Sequence, residues 1–249
     1  MIVPLALVTG GARRLGARIA ARLAEGGYDL ALHSRSGDAP EDWLTARLDG
    51  RRCEMFVADL DDADAVTDLP RAVAMRFGRP IDLLVNCASR FAAMEGAEGA
   101  YHGVIDHLRT NLAAPVALAA AVAEAQAGSA IVNILDQRIA NPPVDQLTYT
   151  LSKQALAEAT RTLAVALAPR ARVNGVAPGL VLPTEDYAPG QVERVGALMP
   201  LGRNARAEEV ADAVFWLAQA QAVTGQVIFV DGGAHLKSFE RDFVHLARD

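Results

Sequence analysis

The chain has 249 residues, of which 51% are apolar, and its formal net charge at pH 7 is −6. That length allows one large domain or two small ones, and the apolar fraction is ample for one sizeable core. Acidic and basic residues are interspersed, so the charge pattern predicts neither a nucleic-acid-binding arm nor a polybasic membrane patch. No apolar run reaches the length of a membrane span.

The two cysteines, Cys53 and Cys87, lie far apart and lack the spacing of a metal site. They favour a reducing compartment, and they predict neither a metal site nor a disulfide framework. The apolar N-terminal segment is too short for a signal peptide and lacks a basic flank and a cleavage site, so it is better interpreted as a buried strand. We therefore expect a soluble cytoplasmic protein.

Seven apolar segments of strand length alternate with helical segments along the chain. The predicted strands cover residues 2–8, 28–33, 52–57, 81–85, 130–135, 171–176 and 226–230. The predicted helices cover residues 14–26, 41–48, 62–77, 101–126, 147–168 and 207–219. Continuous apolar strands separated by helices are typical of a parallel sheet covered on both faces. No linker interrupts the alternation, so the sequence predicts a single α/β domain over 1–249 with a doubly wound sheet of seven parallel strands.

Two segments fall outside this alternation. Residues 180–206 look irregular, and a long irregular segment in a compact domain is usually a lid or a binding loop. We therefore predict that 180–206 is the substrate-binding loop region. Residues 234–249 form a partly amphipathic C-terminal tail, and the sequence does not decide whether the tail covers the site or a neighbouring subunit.

A glycine-rich turn follows the first predicted strand and opens the first helix. Gly10, Gly11 and Gly16 permit a tight turn and a close approach of the backbone to a pyrophosphate at the helix N-terminus. Strand, turn and helix together match the first half of a Rossmann dinucleotide-binding unit. The alternative is that a glycine pair after a strand is only a turn.

The second predicted strand ends in a basic cluster, His33-Ser34-Arg35-Ser36. A fold that prefers NAD usually places an Asp or Glu here to bind the ribose hydroxyls, and neither is present. Arg35, with Ser36 and Arg13, could instead bind a 2′-phosphate, because a guanidinium suits phosphate geometry. The cluster favours NADPH; the alternative is a pair of solvated loop arginines.

Tyr149 and Lys153 lie four residues apart on a predicted helix and so share one face of it. A free tyrosine has a pKa near about 10, and a nearby positive charge lowers that pKa by favouring the phenolate. The pair is therefore a candidate proton donor or acceptor. By itself the spacing occurs by chance on many helices.

Three other polar positions stand out. Asp59, after the third strand, fits either a helix cap or a partner for an adenine amino group. Asn86 opens a run of small residues directly after the fourth strand, where open α/β sheets bind ligands. Asn111 lies inside an apolar helix, where an amide is more often a hydrogen-bonded core residue than a catalytic one.

The chain resembles the short-chain dehydrogenase/reductase family over nearly its whole length. The matching segments are Thr9-Gly10 through Gly16, Asp59, Asn86 through Ala88, Asn111, Tyr149 with Lys153, Pro178-Gly179, and 224–233. This resemblance implies that Tyr149 exchanges the proton, that Lys153 lowers its pKa and binds the nicotinamide ribose, and that Asn111 holds a water in the proton relay. It also implies a homotetramer in which 101–126 and 147–168 form one interface. The expected cofactor contacts are Gly10, Arg13, Arg14, Leu15, Gly16, His33, Arg35, Ser36, Asp59, Leu60, Asn86, Ala88, Tyr149, Lys153, Pro178 and Gly179.

Two positions depart from the common family pattern. Arg14 replaces the middle glycine of the turn, and Asp136 replaces the catalytic serine that precedes the tyrosine by 13 residues. Together they resemble the pteridine reductase branch, which also has an Asn-x-Ala-Ser-x-Phe segment. By that resemblance Phe91 stacks the substrate, Ser89 contacts the cofactor or the pterin, and Arg14 faces both phosphate and pterin.

Each of these residues also has a simpler explanation. Asp136 could be a helix cap or a loop carboxylate, and Phe91 could be a residue of the packed core. Arg14 could be a surface residue of the first helix turn. The chemical interpretation is nevertheless coherent. A carboxylate repels the oxyanion of a carbonyl substrate, but it accepts hydrogen bonds from the ring N–H and amino groups of a pterin.

Three functions follow, in order of preference. The first is an NADPH-dependent reductase of a pterin or dihydrofolate-type substrate, with catalytic Asp136, Tyr149, Lys153 and Asn111, and with substrate contacts from Arg14, Ser89, Phe91, Asp136 and Tyr149. The second is an NADPH-dependent reductase of another carbonyl or imine. The third is a non-catalytic NADPH-binding sensor, which the lost serine favours weakly and the intact Asn111, Tyr149 and Lys153 disfavour.

Overall fold

Seven strands form one sheet in which all neighbouring strands run parallel. Their spatial order is β3-β2-β1-β4-β5-β6-β7, so the predicted seven-stranded, doubly wound α/β fold is confirmed. The computed structural model describes residues 3–48, 50–92, 99–143 and 145–248; residues 1 and 2 at the start of the first predicted strand and residue 249 of the tail lie outside this range. The strands are β1 Leu5–Thr9, β2 Asp29–Ser34, β3 Cys53–Val57, β4 Leu83–Asn86, β5 Ser129–Ile134, β6 Ala171–Pro178 and β7 Val227–Val230.

Helices cover both faces of this sheet. On one face α1 packs against α8 and buries Ile19, Leu23 and Val214 completely. On the other face α3, α5 and α6 bury apolar side chains such as Val73 and Leu118. Burial on both faces explains why the strands are continuous apolar runs. The helices are α1 Arg14–Glu25, α2 Asp42–Thr45, α3 Ala63–Phe77, α4 Gly99–Leu108, α5 Ala114–Ala125, α6 Leu147–Ala166, α7 Gln191–Leu198 and α8 Ala207–Gln219.

The segment predicted as one helix, 101–126, contains a wider turn in its middle. Helix α4 is followed by a π-helical turn, Arg109–Ala113, and then by α5. Pro115 supplies a physical reason, because its nitrogen has no hydrogen to donate to the carbonyl of Asn111 four residues earlier. Such π-turns occur frequently at functional sites. Here the turn carries Asn111.

The prediction that 180–206 is irregular was wrong in part, because the segment contains α7. The buried residues Gln191, Val195 and Gly196 of this helix face the core, but prolines on either side hide that short pattern in the sequence. In contrast, the predicted helix 41–48 is only four residues long. Leu44 is the buried residue of α2, so little apolar surface stabilises a longer helix there.

The C-terminal tail packs against α7 rather than extending away from the domain. The Gln191 amide donates hydrogen bonds to the carbonyls of Phe243, Val244 and Leu246, at 2.8 to 3.0 Å. The Arg194 guanidinium donates to the carbonyl of Ala247 at 2.9 Å. Within the described residues, no helix is both long and apolar enough to cross a bilayer.

Candidate active site

A cleft of about 780 Å³ follows the carboxyl edge of the sheet. This edge is where open α/β sheets bind ligands. The cleft is lined by residues from the turns after each of the strands β1 to β6, from α6 and from the tail. Of the predicted site residues, those that line it are Gly10, Arg13, Arg14, Leu15, Gly16, His33, Arg35, Ser36, Asp59, Leu60, Ala88, Ser89, Phe91, Asp136, Tyr149, Lys153, Pro178 and Gly179.

The glycine turn is packed too tightly to hold side chains. Gly10 has φ +63°, and a Cβ there would lie 3.1 Å from the Ala88 Cα. A Cβ on Gly16 would lie 2.1 Å from the Gly10 carbonyl oxygen. The turn therefore presents bare backbone at the start of α1, a surface that fits a dinucleotide pyrophosphate.

Arg14 connects this turn to the segment after β6. It has φ +53°, which is costly for a residue other than glycine. Its backbone N–H donates to the Glu41 carboxylate at 3.1 Å, and its guanidinium donates to the Leu182 carbonyl at 2.9 Å. Arg14 thus lines the cleft between the glycine turn and the predicted substrate loop.

The basic cluster after β2 lies at one end of the same cleft, with Arg13, Arg35 and Ser36 all in its lining. Asp38, which the sequence analysis did not single out, interacts with two of them. Its carboxylate accepts from the Ser36 hydroxyl at 2.5 Å and lies 3.5 Å from the Arg13 guanidinium. Because both partners of this ion pair are largely exposed, the pair is weak and an anionic ligand can compete for Arg13.

His33 lines the cleft but uses both ring nitrogens within the protein. The Gly10 N–H donates to Nδ1 at 3.2 Å, and Nε2 lies 3.0 Å from the Ala58 carbonyl. These contacts require a neutral ring with its proton on Nε2. Burial lowers the His33 pKa below its usual 6.5. The His33 ring thus supports the glycine turn, and the predicted contact of His33 with the cofactor stays a prediction.

Asp59 lies in the cleft and does not cap the next helix. Its carboxylate accepts from the N–H of Asp61, whereas the N-cap of α3 is Asp62. The helix-cap alternative for Asp59 is thus wrong. The adjacent Leu60 side chain is buried at the cleft wall.

The Asn86 side chain does not reach the cleft. It is buried, and its amide donates to the Asn133 side chain at 2.8 Å and to the Pro115 carbonyl at 3.4 Å. The amide therefore links β4 to β5 and to α5 beneath the site. The expected cofactor contact of this side chain is corrected to a supporting role.

Asn111 is also outside the cleft lining, and its side chain is fully used. Its oxygen accepts from the Arg90 N–H at 2.7 Å and from the Ser89 hydroxyl at 3.2 Å. Its nitrogen donates to the Arg90 carbonyl and to the Ser152 hydroxyl. The Asn111 side chain thus fixes the loop that presents Ser89 and Phe91, and the expected water-holding role of Asn111 stays a prediction.

Tyr149 and Asp136 form the chemical centre of the cleft. The buried Tyr149 hydroxyl donates to the Asp136 carboxylate at 3.0 Å. Burial raises the pKa of Tyr149 well above 10, and the negative charge of Asp136 raises it further. Tyr149 is therefore protonated at neutral pH and is a candidate proton donor. Asp136 also caps the short turn Gln137–Ile139, so the cap alternative is confirmed, while the catalytic role of Asp136 stays a prediction.

Lys153 lies beside Tyr149, with its ammonium nitrogen 5.8 Å from the Tyr149 ring centroid. Its ammonium donates to the Ile134 carbonyl at 2.8 Å, and burial lowers its pKa to about 8. The positive charge that lowers the Tyr149 pKa in this structure is that of Arg138, and it does not overcome burial and Asp136. The expected effect of Lys153 on the Tyr149 pKa stays a prediction.

Phe91 stands at the open side of this centre. Its ring meets Tyr149 edge to face, with centroids 4.8 Å apart, and 44% of the residue is exposed. The alternative of core packing for Phe91 is therefore wrong. An exposed aromatic ring next to the proton donor is a suitable platform for a flat ring system.

Several cleft residues were not found by sequence analysis. Arg138 lies between Asp136 and Asp242, with separations of 3.0 Å and 2.8 Å. Tyr187 enters from the segment after β6, and Phe243 enters from the tail. The proximity of Arg138 to Asp136 in the sequence was an available signal, but nothing local identifies the tail residues. No group of three His, Cys, Asp or Glu side chains in the described part of the chain could hold a metal ion.

Comparisons with known proteins agree with this geometry. A family model described as enoyl-(acyl carrier protein) reductase matches residues 10–235. Pteridine reductase 1 of Leishmania tarentolae is 35% identical, over 94% of this chain and 96% of that protein. The 3-oxoacyl-(acyl carrier protein) reductase FabG of Staphylococcus aureus is 30% identical, over 93% of this chain and 98% of that one. A structure of FolM alternative dihydrofolate reductase 1 from Brucella suis, in complex with NADP, has a TM-score of 0.86 at 38% identity and covers 96% of this chain and 98% of its own.

The chain is thus an oxidoreductase with a Rossmann fold, and it belongs to the short-chain dehydrogenase/reductase family. Within that family its resemblance to the pteridine reductase branch is confirmed by the Leishmania and Brucella proteins.

The neutral His33 predicts a loss of stability at acidic pH. Below about 6.5 the unfolded chain binds a proton that the folded chain resists, so the free energy of unfolding falls as pH decreases toward the lowered folded pKa, by at most about 1.4 kcal/mol per pH unit. Urea unfolding near pH 7.5 and near pH 5.5 should show a smaller decrease for His33→Asn than for the wild type. The exposed His102→Asn is the control. Equal pH dependence in the wild type and His33→Asn would contradict the assignment.

Proposed function

We propose that this protein is an NADPH-dependent reductase of a pterin or dihydrofolate-type substrate. The observation that carries the proposal is the hydrogen bond from the Tyr149 hydroxyl to the Asp136 carboxylate. A serine in place of Asp136 would donate to the oxyanion of a carbonyl substrate, whereas a carboxylate accepts from ring N–H and amino groups. The similarity to pteridine reductase 1 and to FolM supports the same substrate class.

NADPH is the cofactor that suits the cleft. The bare backbone of the glycine turn accommodates a pyrophosphate, and Arg13 and Arg35 supply positive charge for a 2′-phosphate. The Brucella relative was solved with NADP, which supports this choice. When bound, NADPH supplies the hydride for the reduction.

The protein's own side chains then manage the proton and the orientation of the substrate. Tyr149 holds a proton on its hydroxyl oxygen, ready for a ring nitrogen. Asp136 orients that hydroxyl and accepts from substrate donors. Lys153 remains mostly protonated at neutral pH, because its pKa is about 8, and it keeps N–H groups available beside the cofactor ribose. The exposed ring of Phe91 stacks the substrate, while Ser89 and Arg14 border the substrate space.

A reductase of another amine-bearing imine or carbonyl compound is the second candidate. It shares Asp136, Tyr149 and Lys153, and the 30% identity to a 3-oxoacyl reductase supports it. A non-catalytic NADPH sensor is disfavoured, because a sensor has no use for a buried protonated tyrosine between an aspartate and the open cleft.

We further propose a cytoplasmic homotetramer. A shallow groove of about 450 Å³ between α5 and α6 is lined by apolar residues, including Leu112, Val116 and Leu163. On α6, Leu151 and Val165 are exposed, the latter by 81%. Apolar surface of this kind suits contact with a second copy of the chain.

The function is tested by following NADPH oxidation with dihydromonapterin, dihydrobiopterin and dihydrofolate offered separately. We expect turnover with at least one of them, and Tyr149→Phe should lower kcat by about 10² to 10⁴-fold because the general acid is lost. The affinity for NADPH should stay near normal. The exposed Tyr101→Phe is the matched control. No turnover with any dihydropterin, when NADPH binds, would refute the substrate class, and an active Tyr149→Phe would refute the proton donor.

Arg35→Ala should separate the two nicotinamide cofactors. Loss of a charge-assisted contact to the 2′-phosphate should raise the Kd for NADPH by about 10- to 100-fold. The Kd for NADH should stay nearly constant, because NADH has no such phosphate. Titration of each cofactor by its fluorescence measures both values, with the exposed Arg71→Ala as the control. An equal loss for both cofactors would contradict the 2′-phosphate role.

Asp136→Ser should reverse the hydrogen-bond preference of the site. We expect kcat/KM for dihydropterin to fall by roughly 10- to 100-fold, because a partly buried carboxylate acceptor is replaced by a hydroxyl. Asp136→Asn, which keeps the shape but loses the charge, distinguishes acceptor chemistry from packing. Unchanged dihydropterin kinetics in Asp136→Ser would remove the assigned role, and gained turnover of simple ketones would strengthen it.

A further inference from the structure

The C-terminal tail is connected to the chemical centre by a buried chain of charges. Arg138 Nε lies 3.0 Å from the Asp136 carboxylate, and Arg138 Nη2 lies 2.8 Å from the Asp242 carboxylate. The side chains of Arg138 and Asp242 are 9% and 3% exposed. Through the Asp136 carboxylate this chain ends at the Tyr149 hydroxyl.

Arg138 is held by aromatic rings as well as by carboxylates. Its guanidinium carbon lies 4.8 Å from the Tyr149 ring centroid and 5.9 Å from that of Phe91. Burial acts to lower the Arg138 pKa, but Asp136, Tyr149 and Asp242 more than offset that effect and raise it. A buried guanidinium of this kind depends on both carboxylates, because removing one leaves positive charge without full compensation.

Asp242 is itself held firmly in place. Its backbone N–H donates to the Asp145 carboxylate at 3.0 Å, and its own carboxylate accepts from the Val244 N–H at 2.9 Å. The following residues are fixed by the Gln191 side chain. The tail therefore presents one buried carboxylate to Arg138 at a defined position.

We propose that Asp242 is a positioning residue that holds Asp136 against Tyr149 by way of Arg138. The geometry at the proton donor is then complete only when the tail is docked on α7. The inference rests on the proposed function for its consequence in turnover, but its structural claim does not depend on any substrate.

A double-mutant cycle tests the effect on the reaction. Asp242→Asn preserves shape and the acceptor for Val244, but it removes the charge. We expect a fall in kcat for dihydropterin of up to about 10²-fold, because small misplacements of reacting groups have effects of that size, with the NADPH affinity unchanged. In an Asp136→Asn background, Asp242→Asn should lower kcat by no more than roughly twofold. The carboxylate that Asp242 is proposed to position is already absent there. An equal loss in both backgrounds would overturn the proposal.

Arg241→Gln is the matched control. It removes an exposed ion pair between the tail and Asp145 and leaves the contact between Arg138 and Asp242 in place. We expect wild-type kinetics from this variant. If Arg241→Gln lowered kcat as much as Asp242→Asn does, any loosening of the tail would be enough to lower kcat. That result would overturn the specific role of Asp242.

A crystal structure of Asp242→Asn gives an answer that needs no substrate. We expect Arg138 to turn away from Asp136, and the Tyr149 hydroxyl and the Asp136 carboxylate to move out of hydrogen-bond distance. Unchanged positions of Arg138 and Asp136 would overturn the proposal. If the wild type fails to turn over any dihydropterin, the proposed function fails, while this structure still decides the role of Asp242.

Discussion

The contact between Asp136 and Tyr149 sets the character of the site. A carboxylate beside a buried phenol raises the phenol pKa, so it keeps the Tyr149 hydroxyl protonated. The same carboxylate would be costly in a buried position without a positive partner. Arg138 supplies that partner, and Lys153 adds a second cation deeper in the cleft. The surrounding elements hold the charged groups of Asp136, Arg138 and Lys153 in position.

Much of that support comes from neutral amides that lie outside the cleft lining. Asn111 makes three hydrogen bonds to the loop of Ser89 and Arg90 and a fourth to the Ser152 hydroxyl of α6. It lies on the π-turn, for which the missing N–H of Pro115 supplies a physical reason. Asn86 connects β4 to β5 directly below. Because every polar group of the Asn111 side chain is paired, this part of the network is rigid and preorganises the loop that carries Phe91.

The sequence predicted the fold and the central pair because both depend on short periodicities. A spacing of four residues places Tyr149 and Lys153 on one face of any helix, and continuous apolar strands require a covered parallel sheet. The roles of Asn86 and Asn111 were harder to predict. An asparagine side chain can form hydrogen bonds in the core or contact a ligand in a cleft, and the tertiary neighbours of the side chain determine which role it has. Arg138 and Asp242 are far apart in the sequence and are brought together by the tertiary fold, so no local sequence pattern predicts their contact. Helix α7 was missed because its short buried face is enclosed by prolines.

The hydrogen-bond inventory of Asp136 gives the strongest physical argument about the substrate. An ionised carboxylate offers about four acceptor positions. Among the described residues, three donors occupy them: the Arg138 N–H, the Arg138 guanidinium and the Tyr149 hydroxyl. The oxygen that faces Tyr149 therefore keeps about one acceptor position for a further donor. Because Arg138 balances the negative charge of Asp136, repulsion of a substrate oxyanion discriminates less strongly between substrates than the remaining acceptor position does. A substrate with a ring N–H or an amino group satisfies that acceptor, whereas a plain ketone leaves it unpaired in a buried site.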